Sequence, residues 1–294
     1  MAVYNYAEQF TRILQQKYST ELKSYALTQS NPGIKFLNAQ TIKLPTLTLS
    51  GYKDHTRTRG FNAGSAANDW IPKKLEHDRD IEFWFDPMDI DETNLVLEAA
   101  NVTNTFEDEH AIPEKDSYRF SKLFSEVNTY SGVVDHTVLE ASNFLEIFDE
   151  HMAKMDEAGV PEEGRIMYIT PSTKKIVKVA EGIERSIIVS TPNTINRKVH
   201  SLDDVEFITV PAARMKTLYD FTDGCVADPT AKQINFILVH PSCVVCRDKY
   251  EYIKWYTPGH DSYVGDGHLY QNRNYGDIFL LEKKIEGITI NAQA

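Results

Sequence analysis

A long polar segment between two strand-like segments constrains this sequence more than any other feature. In residues 41–49, "TIKLPTLTL", apolar and polar residues alternate as in a strand, and Pro45 restricts that strand to an edge or a kinked arm. Residues 50–69 contain three glycines and few apolar side chains, and extended character resumes in residues 70–86. The pattern predicts an oversized hairpin that reaches away from its own core, and a disordered surface loop is the alternative.

Length and composition describe an ordinary folded protein. The 294 residues can bury a substantial core, as one large domain or two moderate ones, and 41% of them are apolar while 25% are charged. No apolar run approaches the length of a membrane span and no signal peptide is visible, so we expect no membrane contact. Three cysteines favour a reducing compartment, the cytoplasm. The net charge of −12, without a cluster of Lys and Arg, argues against tight general binding of nucleic acid.

Hydrophobic periodicity predicts several helices in the first 180 residues. Apolar residues recur at helical spacing over residues 3–27, from Leu95, from about Tyr118 and from Asp135 to about 158, and Pro171 is placed to begin another helix. Pro113 is expected near the N-terminal turn of the helix at Tyr118, so that a break separates this helix from the one that starts at Leu95. Strands are predicted at "RIMYI", "RSIIVS", "VEFITVP", "INFILVHP", "EYIKWYTP" and "YGDIFLLEKKIEGITINA". The fold class is therefore α+β.

The stretch "FWFDPMDIDETN", residues 83–94, carries four carboxylates. Neither the glycine nor the twelfth-position glutamate of a calcium-binding loop is present. A catalytic acid pair remains open, because such pairs meet only in three dimensions. Acidic residues just before a helical run are typical of a helix start, so we interpret Asp89, Asp91 and Glu92 as capping residues.

The other chemically suggestive motif is "HPSCVVC", residues 240–246. A zinc site would need a second pair of ligands, and only Cys225 remains elsewhere in the chain. Cys243 and Cys246 stand among valines, which favours buried thiols that pack as small apolar groups. No nucleophile, phosphate-binding or dinucleotide-binding motif occurs, so we predict no enzyme activity, no catalytic residues, no cofactor and no metal site.

The order of these features resembles one family, the major capsid proteins of tailed bacteriophages with the HK97-like fold. The resemblance rests on "WIPKKLEHDRDIEFWFDPMDIDET", then "NTFEDEHAIPEKDSYRFSKL", and finally "INFILVHPSCVVCRDKYEYIKWYTP" with "YQNRNYGDIFLLEKKIEGI". It covers nearly the whole chain and is closest to the group from phages of Gram-positive bacteria that lacks a cleaved propeptide. The ordered set carries the resemblance, since no single stretch is diagnostic.

The resemblance implies a division of the chain into parts. These are an N-terminal arm at 1–45, an extended loop at 46–84, a peripheral domain with a long spine helix at 85–134, an axial domain at 135–270, and C-terminal strands at 271–294 that return to the peripheral domain. The spine helix would begin at about Tyr118 or slightly earlier, and residues 217–233 would form the axial tip.

The resemblance also implies a function. Such a chain assembles with itself into pentamers and hexamers of an icosahedral shell, which encloses double-stranded DNA without sequence-specific binding. Its partners would be a separate scaffolding protein, since the chain reaches the capsid body by about residue 40, and a portal protein. Assembly would occur in the bacterial host cytoplasm, without covalent cross-links, and the product would be a virion. An encapsulin-like nanocompartment shell and, from another class, a small cytoplasmic hydrolase using the acidic cluster or the cysteines are the alternatives.

Charge suggests where copies of the chain would meet. Lys53, Arg57 and Arg59 are the densest positive group in the first half of a chain with 43 acidic residues. If the extended loop lies across a neighbour, this cationic tip should dock on acidic side chains beside the spine helix. The candidates are Glu107, Asp108, Glu109, Glu114 and Asp116.

Overall fold

The computed structural model describes residues 21–28, 41–55, 61–92, 99–180, 201–259 and 265–294, with the side chains of 91, 92 and 99 left aside. The helices are α1 Tyr25–Thr28, α2 Pro87–Glu92, α3 Ala99–Phe106, α4 Ile112–Thr129, α5 Phe144–Glu157 and α6 Pro171–Val177. The strands are β1 Thr41–Leu49, β2 Ala66–Lys74, β3 His77–Phe85, β4 Val133–Asp135, β5 Ile166–Ile169, β6 Ser201–Leu202, β7 Val205–Thr209, β8 Tyr219–Asp220, β9 Val226–Ala227, β10 Ile234–Val239, β11 Val244–Tyr256, β12 His268–Leu280 and β13 Ile288–Ala292. The predicted α+β class is confirmed. The strand predicted at 185–190 and residues 3–20 of the helix predicted at 3–27 lie outside the described residues. In the described part of that helix only α1, Tyr25–Thr28, is helical, so the prediction is wrong at residues 21–24.

The main core surrounds a six-stranded mixed sheet with the order β4-β13-β10-β5-β7-β6. Its centre is β10, "INFILV", in which Ile237 and Val239 pack in one apolar cluster with α4 while Phe236 and Leu238 pack in a second cluster with α5. Because helices cover both faces, the strand is apolar at successive positions instead of alternating. The sequence run that looked like a buried strand is therefore the middle of the core.

A second sheet is antiparallel, with the order β11-β12-β3, and α4 packs against β12. The hairpin predicted from the sequence is present as a separate two-stranded sheet, in which β1 pairs with β2 from Thr41 opposite Lys74 to Leu49 opposite Ala66. Since β1 pairs only with β2 among the described strands, Pro45 stands on an edge strand as expected. Strand β3, most of which the resemblance places in the extended loop, pairs with β12.

The break predicted at Pro113 is wrong. Residues 99–129 form one helical stretch, because α3 and α4 are joined by a π-helical turn at Glu107–Ala111. Phe106 and Ile112, on either side of that turn, both have right-handed helical backbone angles. A proline lacks an N–H and its ring crowds the carbonyl four residues earlier, and the wider π turn accommodates both changes without ending the helix. The spine helix therefore begins well before Tyr118.

The helix predicted from Asp135 begins later, at Phe144. Asp135 ends β4, and its Oδ1 accepts a hydrogen bond from the Thr137 backbone N–H at 2.9 Å. Further on, the Asn143 side chain accepts a bond from the Glu140 N–H at 2.8 Å. Side chains of this kind occupy backbone groups that a helix would use, which explains why the apolar spacing alone placed the start too early.

The acidic stretch at 83–94 does contain a helix start, but the helix begins at Pro87, so the predicted capping residues Asp89, Asp91 and Glu92 lie within it and do not precede it. Asp86 precedes α2, and its Oδ1 accepts a hydrogen bond from the Met88 backbone N–H at 2.8 Å. Asp89, predicted as a cap, lies inside α2 in its first turn. An aspartate before a proline at the first helical position is a typical helix N-terminus.

Cys243 and Cys246 are buried free thiols in the core, as predicted. Burial raises the pKa of the Cys243 thiol to about 12 and that of Cys246 to about 11. Both sulfurs are therefore protonated at neutral pH. Among the described residues, no helix is at once long and apolar enough to pass through a membrane.

Candidate inter-subunit surface

The hairpin β1–β2 is buried only at its base. Ile42 and Leu44 of β1 pack with Leu75, Val245 and Phe279 in a small apolar cluster. The Lys73 ammonium reaches the Tyr130 hydroxyl at the end of α4. These contacts fix the direction in which the hairpin leaves the body of the subunit.

Beyond the base, one face of the hairpin exposes large apolar side chains. Residues opposite each other in an antiparallel pair share a face, so the pairs Leu49–Ala66, Leu47–Asn68 and Pro45–Trp70 lie on the same side. Leu47, Leu49 and Trp70 retain 61%, 64% and 50% of their accessible surface. The chain therefore leaves large apolar side chains of this face uncovered.

The end of the hairpin is held by polar contacts of its own. Lys53 Nζ donates to the Ala63 carbonyl at 3.2 Å, and Asn62 Nδ2 donates to the Asp54 carbonyl at 2.7 Å. Tyr52 and Phe61 are fully exposed there. Of the predicted cationic group, Lys53 is described and is exposed, while Arg57 and Arg59 lie outside the described residues.

Asp116 and Glu114, which were suggested as docking partners, each accept a hydrogen bond from an arginine of their own chain. Asp116 is fully buried and accepts bonds from the Ser24 N–H at 3.0 Å and from Arg214 Nη1 at 3.1 Å. Glu114 Oε1 accepts a bond from Arg79 Nε at 2.6 Å. Asp116 therefore anchors the segment before α1 to α4, and we leave it out of the docking surface.

The other three acidic residues lie on the π-helical turn. Glu107 is half-buried and accepts a hydrogen bond from Asn272 Nδ2, and burial raises the pKa of its carboxyl. Asp108 is exposed, and Glu109 is half-buried at the rim of a cleft. The sequence prediction had given all five acids the same role, and the structure distinguishes them by burial.

The cleft has a volume of 1180 Å³ and is walled by three separate parts of the chain. One wall is formed by β3 and β12, the second by the π turn with the start of α4, and the third by residues 211–227. Arg79 of β3 ties the third wall in place, since its Nη1 donates to the Phe221 carbonyl at 2.5 Å. Residues 217–227, suggested as part of the axial tip, thus lie beside β3, β12 and α4.

His77 stands at the junction of these walls. Its ring stacks on Tyr118 with 3.8 Å between ring centroids, and its Nε2 lies 3.8 Å from Glu114 Oε1. Burial, followed by the positive charges of Arg79 and Arg119, lowers the pKa of His77 from 6.5 to about 4. The imidazole is therefore neutral at physiological pH.

The cleft has surface for contact with another molecule, but its side chains have little chemical reactivity. Cys225 lines it, and burial raises the pKa of this thiol to about 11, so the thiolate nucleophile is scarce. Within the described part of the chain, no group of three or more His, Cys, Asp or Glu side chains is placed to hold a metal ion. No sequence signal indicated the cleft, because its walls are distant along the chain.

No family model matches the sequence, and no curated protein matches it. Solved phage structures match almost its entire length. A structure from Mycobacterium phage Che8 has a TM-score of 0.64 and 12% identity, covering 99% of this chain and 98% of its own. The mature capsid of bacteriophage PhiM1 has a TM-score of 0.65 and 11% identity, covering 99% and 92%. The capsid of cyanophage P-SCSP1u has a TM-score of 0.64 and 9% identity, covering 98% and 93%.

At these identities the likeness concerns the fold. It extends over nearly the full length of this chain and over most of each matched chain. The chain therefore has the HK97-like fold of tailed-phage major capsid proteins.

Proposed function

We propose that this chain is the major capsid protein of a tailed bacteriophage. Copies of it would form pentamers and hexamers, and these would close into an icosahedral shell in the virion. The observation that carries the proposal is the match in fold to phage capsids over nearly the full length of both chains. The role is structural, with no catalytic step assigned to any residue.

The hairpin supports self-association independently of the likeness in fold. Ordering a long two-stranded ribbon costs conformational entropy, and a ribbon that leaves Leu47, Leu49 and Trp70 exposed regains little of that cost within its own chain. A neighbouring copy that covers this face would remove apolar surface from water. Many identical subunits in a shell would make the same contact repeatedly.

The other partners follow from the same proposal. A scaffolding protein would guide assembly, a portal protein would occupy one vertex, and the closed shell would enclose double-stranded DNA. The net charge of −12 is suited to a container, because a lining that repels phosphate does not hold the packaged DNA. The DNA is retained by confinement, without base or phosphate recognition.

Negative-stain electron microscopy of the purified protein tests the proposal, with scaffolding protein supplied if the chain alone gives irregular particles. We expect shells or ring-shaped capsomers, and nuclease-protected DNA in particles taken from infected cells. Boiled particles should give one monomer band on a denaturing gel, because we expect no covalent cross-link.

Two outcomes would contradict the proposal, and a third would contradict only the expected mode of assembly. A protein cargo inside the shells would favour an encapsulin-like nanocompartment. A stable monomer with hydrolytic activity, abolished by Asp89→Ala without loss of fold, would favour a hydrolase. A ladder of multimers on the denaturing gel would overturn non-covalent assembly alone.

A further inference from the structure

We infer that a proton-sensitive hinge at Leu75 and Glu76 joins the hairpin β1–β2 to the body of the subunit, and that the buried carboxyls of Glu126 and Asp277 clamp it. The clamp holds the hairpin most firmly when both carboxyls are protonated, and it loosens as they ionise. This inference concerns the single subunit and goes beyond the proposed function, since it holds whether or not the chain forms shells.

The place of the hinge follows from the order of the strands. Strand β2 ends at Lys74 and β3 begins at His77, and the two strands belong to different sheets. Among the described strands, β1 and β2 pair only with each other, so no described ladder of strands runs from the hairpin into the body. Two connecting residues between separate sheets are the kind of short segment that can absorb a change of angle.

Apolar packing alone does not set that angle. Ile42 and Leu44 of β1 pack with Leu75 and Phe279 at the base of the hairpin. The hydrophobic effect is non-directional, so this cluster can serve as a pivot about which the hairpin turns. Hydrogen bonds at the base are directional, and they therefore decide where the hairpin points.

The first part of the clamp is Asp277 of β12. Its Oδ2 accepts a hydrogen bond from the Glu76 backbone N–H at 2.9 Å, so it holds the hinge itself. Its Oδ1 accepts bonds from the Tyr118 hydroxyl at 2.9 Å and from the Ile278 backbone N–H at 2.8 Å. One buried carboxyl thus ties the hinge to both β12 and α4.

The second part of the clamp is Glu126 of α4. Its Oε2 accepts a hydrogen bond from the Leu280 backbone N–H, and its Oε1 lies 3.9 Å from Lys73 Nζ of β2. The Lys73 ammonium also reaches the Tyr130 hydroxyl. Glu126 therefore links the last residues of the hairpin to α4 and β12.

The groups around the two clamp carboxyls carry both signs of charge. The titratable side chains that face them are Lys73 of β2, Glu76 of the hinge, Tyr118 and Lys122 of α4, Tyr130 at its end, Cys246 of β11 and Tyr275 of β12. Lys122 Nζ bonds to Glu76 Oε2 at 2.9 Å. Since thiols and phenols of ordinary or raised pKa are neutral at pH 7, the ionised cluster has three carboxylates against two ammonium groups.

Burial decides how a proton acts on the clamp. Glu126 and Asp277 are only 9% and 5% exposed, and burial raises the pKa of both carboxyls above their ordinary values of 4.5 and 3.8. Lys73, at 3.9 Å from Glu126, is too distant for a hydrogen bond and does not offset this effect. A protonated carboxyl keeps an oxygen that can accept the Glu76 N–H, so protonation leaves the clamp in place.

The direction of the effect follows from proton linkage. An opened hinge would expose both carboxyls to water and return each pKa toward its ordinary value, so the closed clamp binds protons more tightly than the open one. This advantage of the closed clamp is complete below the ordinary pKa values and is lost as the pH rises through the raised ones. Neutral solution therefore loosens the hairpin, and mild acid fixes it.

Spin-label distances test the hinge in the complete chain. Nitroxide labels are attached at Ala67→Cys of β2 and Ser125→Cys of α4, both exposed positions, in a chain that also carries Cys225→Ser. An excess of unlabelled chain ensures that only distances within one copy are measured. We expect the distance distribution to narrow as the pH falls from about 8 to about 5, while circular dichroism shows that the subunit stays folded. Labels at Ser125→Cys and Glu157→Cys of α5, both within the body, should give one distribution throughout.

Neutral variants identify the clamp. Glu126→Gln and Asp277→Asn imitate the protonated carboxyls, so each should narrow the distribution at the higher pH and reduce its response to acid. Glu107→Gln is the matched control, because Glu107 is a half-buried carboxyl whose pKa is also raised, and it bonds to Asn272 away from the hinge. It should keep the response of the parent. His77, beside the hinge, titrates in the opposite direction and is unchanged in all three variants.

Two results would overturn the inference. One is a distribution in the parent that stays the same or widens in acid, and the other is a full response to pH in Glu126→Gln. If Asp277→Asn does not fold, Glu126→Gln decides the result alone. Because every distance lies within one copy, a failure to form shells would contradict the proposed function and leave this test unaffected.

Discussion

The long helix and the hairpin both carry large apolar side chains, and they place them in opposite environments. Phe120, Leu123 and Val127 of α4 keep at most 1% of their surface exposed, within the main core. Leu47 and Leu49 of the hairpin keep more than half. The helix therefore stabilises the single subunit, whereas the outer hairpin contributes energy only when a second molecule covers it. Substitutions in the two regions should separate folding from assembly.

The largest effect on folding is expected in the helix. Phe120→Ala removes a fully buried ring that packs 5.0 Å from the ring of Tyr168, centroid to centroid. Because a core with helices on both sides of its sheet cannot collapse freely around the cavity, we expect a loss of about 3–5 kcal/mol. Urea unfolding of the subunit, followed by circular dichroism, measures it. A loss below 1 kcal/mol would show that α4 is not part of the stabilising core.

A matched pair within one strand sharpens the comparison. Ile42 is 1% exposed at the base of the hairpin, and Leu47 is 61% exposed five residues later. We expect Ile42→Ala to cost about 2–4 kcal/mol of subunit stability, and Leu47→Ala less than about 0.5 kcal/mol. Leu47→Ala should nevertheless weaken assembly, measured by the protein concentration at which particles form. Equal effects of the two substitutions on unfolding would remove the distinction between base and outer hairpin.

Acid should weaken the junction between the two regions through His77. Its pKa is about 4 in the folded chain and 6.5 when free, so the unfolded state takes up a proton first as the pH falls. The stability that His77 contributes is thus complete above pH 6.5 and is lost progressively as the pH falls from 6.5 to 4. The loss is at most about 3 kcal/mol.

His77→Phe isolates this effect, because it keeps an aromatic ring on Tyr118 and removes the titration. The variant should lose less stability than the parent between pH 7 and pH 4, measured by urea unfolding at each pH. Burial raises the pKa of the Glu107, Glu126 and Asp277 carboxyls, which acts in the opposite direction. Because these carboxyls are present in both proteins, their contributions cancel when the pH profiles of parent and variant are compared. Identical pH profiles would mean that His77 is solvated in the folded state.

How much the sequence could predict depends on how local the determining interactions are. The strand β10, the hairpin and the helix start at residues 83–94 follow from periodicity and turn residues, which act over a few positions. The predicted helix break at Pro113 was wrong because a π turn, which has no simple residue signature, accommodates the proline within the helix.

The candidate surface was less predictable for the same reason. The difference between Asp116 and Asp108 lies in residues far along the chain, since Arg214 and the backbone of Ser24 surround the former. Sequence identifies a charged segment, and only tertiary contacts decide which of its carboxylates face outward. The cleft combines segments almost 200 residues apart and left no pattern in any one of them.

At the hairpin end we expect the smallest effect on subunit stability and a large effect on assembly. Arg57→Glu combined with Arg59→Glu reverses two charges in a segment whose flanking residues, Asp54 and Phe61, are exposed. We expect unfolding of the subunit to change by less than about 0.5 kcal/mol, the usual range for substitutions away from a protein's core.

Assembly responds differently because the contact is repeated at every subunit. Each exposed ion pair contributes only about 0–1 kcal/mol, and salt screens it. If the tip docks on acidic side chains of a neighbour, reversal would replace each attraction by a repulsion, summed over a closed shell. The doubly reversed variant should therefore form open or fragile particles under the electron microscope. Shells of normal appearance with the heat resistance of the parent would show that the cationic tip makes no contact with a neighbouring subunit. The apolar face of the hairpin alone would then join the subunits.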